Sequence, residues 1–148
     1  MSYQEKRALV SLISSILITA LYSAYMAQRY PTSDAYSIEV FRFWGAFFLI
    51  LIVVSIVARI VIYILFSIIN TLATREEEPS ITDERDRLIE LKSNRNALWV
   101  FSVGVLIAMG SLVVDMPPSV MFVILIGAGL ASDMISELSQ FVFYRRGF

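Results

Sequence analysis

The chain has 148 residues, of which 57% are hydrophobic and 17% charged, with a mean hydropathy of +0.71; that is the length of one domain, and too apolar for an ordinary soluble one. Twelve Lys and Arg against 13 Asp and Glu leave a net charge of −1, which excludes a nucleic-acid binder that works by neutralising phosphates. Cysteine and histidine are both absent, so disulfides, thiol nucleophiles, the usual zinc sites and imidazole acid-base chemistry are excluded too.

Four apolar stretches reach the roughly 20 residues that a helix needs to cross about 30 Å of hydrocarbon. The first runs from about Ala8 to Ala27. Lys6 and Arg7 ahead of it resemble a signal-peptide start, but Ser11, Ser14, Ser15 and Thr19 interrupt the apolar run. The small residues Ala24 and Ala27 also stand three apart, not in A-x-A spacing, so it reads as a retained helix. The second stretch, Phe43 to Asn70, has 28 residues, about 42 Å of helix, and must tilt or push its last turns into the cytoplasm. The third and fourth run from Ala97 to Val114 and from Pro118 to about Phe143. All four prolines, Pro31, Pro79, Pro117 and Pro118, fall between spans or at the start of one, where a missing amide donor does least harm. The fold class expected is therefore all-α: a polytopic four-transmembrane-helix bundle forming a single membrane domain over residues 1–148.

Positive charge is retained on the cytoplasmic face during insertion. With the N-terminus inside, nine basic residues lie on that side (Lys6, Arg7, Arg75, Arg85, Arg87, Lys92, Arg95, Arg145 and Arg146) against two outside, Arg29 and Arg42. Both termini and the linker 71–96 are thus expected in the cytoplasm of an inner (plasma) membrane protein. Tyr30, Tyr36, Phe41 and Trp44 would mark the outer interface, and Tyr3, Trp99, Phe143 and Tyr144 the inner one.

In the linker, Ser80 and Asp83 suit a capping box, with Thr82 an alternative cap. Ile81, Leu88, Ile89 and Leu91 gather roughly on one side and Asp83 pairs with Arg87 on the other, which predicts a short amphipathic cytoplasmic helix before the third span. It reads as a solvated connector, or as a docking surface built from Asp83, Glu84, Arg85, Arg87 and Lys92. Asp83, Glu84 and Asp86 lack EF-hand spacing, so no metal and no cofactor is expected. The run Ile81-Thr-Asp-Glu-Arg-Asp-Arg-Leu-Ile-Glu-Leu-Lys92 between two hydrophobic helix pairs resembles the linker of small four-helix bacterial and archaeal membrane proteins of unknown function. The resemblance implies the same four-span architecture and carries no activity.

Three ionisable residues fall inside spans, and each requires an explanation, because even on the lenient scale one costs about 2.5 to 3.5 kcal/mol. Arg59 lies 16 residues beyond Phe43; Asp133 and Glu137 lie 15 and 19 beyond Pro118. At 1.5 Å per residue their depths are about 24 Å against about 22 and 28 Å, so Arg59 is expected to bridge to Asp133 or Glu137 toward the inner leaflet. Gly129, Ser132, Asp133, Ser136, Glu137 and Gln140 make one polar stripe on the fourth span, and the polar cluster expected comprises Arg59, Asp133, Ser136, Glu137 and Gln140. Ser11, Ser15, Thr19 and Ser23 on the first span, and Gly104, Ala108 and Ser111 on the third, have the spacing of close helix packing.

No nucleophile-base pair and no phosphate-cradling glycine loop is visible. The function expected is non-enzymatic: an accessory, regulatory or scaffold membrane protein. The alternative is a small oligomeric proton-coupled transporter or channel using Arg59, Asp133 and Glu137. One Arg facing two acids leaves a carboxylate without a full counter-charge, the kind of group that exchanges protons. The partners expected are the lipid bilayer and either a second copy of the chain or a cytoplasmic protein. A cavity reaching the polar cluster would favour transport, and a dry, fully paired cluster would favour structure.

Overall fold

A computed structural model describes residues 3–74 and 84–146. These residues form four helices and no strand: α1 Tyr3–Ala27, α2 Ile38–Thr74, α3 Glu84–Val113 and α4 Pro118–Arg146. Each is long and apolar enough to cross a membrane. The Ser80–Asp83 cap, Ile81 and the Asp83–Arg87 pair lie outside the described residues.

Local chemistry sets the helix ends. Ser37 starts α2 by accepting the Val40 amide at 3.4 Å on its side-chain oxygen. Glu84 and Asp86 occupy the first turn of α3, and Arg145 and Arg146 the last turn of α4, each complementing the helix dipole. The α3–α4 turn closes through Met116 N to Ser111 O at 3.1 Å and Asp115 N to Leu112 O at 3.2 Å, a Schellman pattern. It puts Asp115 at φ 58°, where glycine is usual.

The helices run alternately up and down, so the starts of α1 and α3 and the ends of α2 and α4 share one end, here the terminal end. The two interhelical turns lie at the other, the hairpin end. Packing follows a row: α3 lies along α4, α4 along α1 and α1 along α2, while α2 comes near α4 in few places. The α3–α4 seam is the tightest. A Cβ added at Gly104 would collide with the Ala128 Cβ, and Ala108 and Ser111 are buried along the same stripe. At the hairpin end, Met26, Val40, Trp44 and Phe47 are buried with Tyr22, Phe43 and Phe122 around them. Trp44 stacks on Phe122 with centroids 5.3 Å apart, and the Tyr30 and Ser119 hydroxyls are hydrogen-bonded at 2.6 Å.

Two local expectations are corrected. Among the described residues there is no separate linker helix, because α3 runs unbroken from Glu84 into the apolar segment. Ser93, Asn94 and Asn96 do not interrupt it, since α4 supplies them with partners or cover: Ser136 Oγ bonds Asn94 Oδ1 at 3.3 Å, Asn96 Nδ2 donates to Ser139 Oγ at 3.2 Å, and Ser93 is fully buried. Nor do Leu88, Ile89 and Leu91 share a side. Ile89 is fully buried in line with Ser93 and Ala97, whereas Leu88 and Leu91 are exposed.

Candidate functional site

Four helices bring polar side chains together in the terminal half of the bundle. Ser11 and Ser15, one turn apart on α1, are 1% and 3% exposed and face α2 and α4 together. Ser11 Oγ donates to Glu137 Oε1 at 2.5 Å and accepts the Tyr63 hydroxyl at 3.0 Å. One turn toward the hairpin end, Arg59 Nη2 donates to Ser15 Oγ at 2.8 Å and to Asp133 Oδ2, with which it forms an ion pair. Arg59 therefore bridges to Asp133, and Glu137 is held by α1.

The expected α4 stripe divides between two faces. Asp133 and Glu137 turn toward α1 and α2, but Ser132 and Ser136 turn toward α3, where Ser132 Oγ donates to the Ala97 carbonyl at 2.9 Å and Ser136 meets Asn94. Ser136 thus belongs to the α3–α4 seam and is not in the charged cluster. Gly129 has open space where a Cβ would stand. Because Ser132 is bonded to Ala97, Asp133 lies within about one turn of the level of Trp99 on α3.

Two cavities flank this layer. One, about 370 Å³, is lined by residues of all four helices, among them Arg7, Tyr63, Asp86, Glu90, Glu137 and Gln140. Gln4 and Tyr144, near the start of α1 and the end of α4, place it at the terminal end, and Arg7 lies over the Tyr63 ring at 4.9 Å. The other, about 550 Å³, is a groove between α2 and α4 whose walls include Phe48, Ile52, Ile56, Leu125, Ile126 and Gly129, with Arg59 and Asp133 at one end. Among the described residues no three acidic side chains converge so as to hold a metal ion.

Of the linker residues, Asp83 lies outside the described residues, Glu84, Arg85 and Arg87 are exposed on the first turns of α3, and Lys92 is half-buried. Sequence reasoning did not single out Tyr63 or Glu90, and it named Asp86 only among the acids of the linker. The signal for Ser11 and Ser15 was present in their spacing of four, but pointed equally to helix packing. No protein-family model matches the chain, and no match to it was found among curated proteins or solved structures.

Proposed function

We propose that the chain is a multi-pass, non-enzymatic protein of the plasma membrane with both termini cytoplasmic, and that it works as a small oligomeric proton-coupled carrier with Glu137 as its proton-exchanging group. The observation that carries this reading is the cavity at the terminal end, in which Glu137 and Gln140 meet residues of all four helices. A carboxylate that only fixed helix register would be enclosed by its partners. Here Ser11 covers one oxygen of Glu137, and the side chain still lines a space large enough for several waters. In this reading protons enter from the cytoplasm, and the aromatic cluster around Trp44 and Phe122 closes the opposite end. Arg59 is already paired with Asp133, so the counter-charge left to Glu137 is Arg7, which lines the same cavity.

The test uses the full chain in proteoliposomes. A hydrophobic carbodiimide, which modifies protonated carboxyls in apolar surroundings, is expected to label Glu137 in a pH-dependent way, and Glu137→Gln to abolish both labelling and proton flux driven by a pH gradient. Folded protein that shows neither labelling nor flux overturns the carrier. A second reading, an accessory or scaffold protein docking a cytoplasmic partner, is favoured by one observation: Leu88 and Leu91 are exposed beside Arg85 and Arg87 at the start of α3.

A further inference from the structure

The groove between α2 and α4 leaves a charged pair in need of cover. The side chains of Arg59 and Asp133 are 30% and 48% exposed there. Arg59 makes both its hydrogen bonds through Nη2, so the N–H groups on Nε and Nη1 have no partner among the described residues. Asp133 Oδ1 has none either. Lipid tails cannot satisfy open donors and an open acceptor.

The occupant is constrained by size, polarity and level. From Phe48 to Arg59 the groove runs roughly 16 Å, with about 550 Å³ of space along it. One hydrocarbon chain fits that space. The same 16 Å is close to half the thickness of a bilayer core, about 15 Å. Along that length the walls are mostly apolar, with Thr19 and Ser55 among them, and at the end both signs of charge wait side by side. A purely anionic head would meet Asp133, and a purely cationic one Arg59; a zwitterion satisfies both. The pair lies near the level of Trp99, a residue type that settles where head groups meet acyl chains.

We propose that this groove binds one phospholipid with an amine-bearing zwitterionic headgroup. Its phosphate takes the free Arg59 donors, its ammonium takes Asp133, and one acyl chain lies along Phe48, Ile52, Ile126 and Gly129. The inference goes beyond the carrier reading and stands without it.

The test is native mass spectrometry of the full chain released from membranes containing phosphatidylethanolamine, phosphatidylglycerol and diacylglycerol. Wild type is expected to retain one phosphatidylethanolamine per chain, several-fold over either competitor. Gly129→Leu places a side chain where an added Cβ meets nothing, and so blocks the groove without touching the ion pair; retention should drop several-fold. Asp133→Asn should reverse the preference toward phosphatidylglycerol, because Arg59 is then unbalanced. Equal retention of the three lipids, retention unchanged in Gly129→Leu, or a second copy cross-linked across the groove through Ile56→Cys would each overturn the proposal. Glu137 labelling is read separately, so failure of the lipid site and failure of the carrier are told apart.

Discussion

Two glycines of α3 differ sharply in what they tolerate. Gly104 has the Ala128 Cβ where its own would be, so Gly104→Ala must force α3 and α4 apart and is expected to cost about 1–3 kcal/mol. Gly110 meets nothing, and Gly110→Ala is expected to gain up to about 1 kcal/mol from helix propensity. Reversible unfolding in mixed micelles measures both. The same method applied to double-mutant cycles should give a coupling of about 1 kcal/mol for Arg59 with Asp133 and close to none for Arg59 with Glu137. A coupling confined to Glu137 would contradict the geometry. At the α3–α4 turn, Asp115→Gly relieves a left-handed backbone and is expected to stabilise by up to about 1 kcal/mol. The depth match of Arg59 and Asp133 was legible because helical rise converts residue number into distance. The bond from Arg59 to Ser15 was not, since a serine stripe has the same spacing whether it packs a helix or holds a guanidinium.

At the scale of elements, apolar length and proline placement made all four helices legible, and the helix boundaries less so. Ser93, Asn94 and Asn96 look like a break in one dimension, but α4 supplies their partners or covers them, and that information is tertiary. For the same reason Leu88 and Ile89 could not be separated until the face toward α4 was known. Periodicity also says nothing of neighbours, so the row order and the groove it leaves were not readable. The element with most at stake in one contact is α2. It joins α4 chiefly at the hairpin end, where Trp44 is 6% exposed against Phe122 and its Nε1 reaches Ser119 at 3.4 Å. Trp44→Ala is expected to cost about 3 kcal/mol. It should also widen the distance between spin labels on α2 and α4, while labels on α3 and α4 keep theirs.

For the whole molecule, packing in a row means that α4 touches all three other helices and stands at the centre of the polar layer. Asp133, Glu137, Ser132 and Ser136 on this one helix bind Arg59, Ser11, Ala97 and Asn94 on the other three. During biosynthesis α4 is the last of the four to leave the ribosome. Until it arrives, the Arg59 guanidinium has only Ser15 of α1, and the Asn94 and Asn96 side chains lack the α4 hydroxyls they will join. In the membrane-spanning reading proposed above, assembly is therefore a waiting process: three early helices hold an incomplete polar set, and the fourth completes it in one step. Chains stalled before Pro118 should be caught by membrane quality control, and a separately expressed α3–α4 hairpin should rescue an α1–α2 hairpin that carries Arg59.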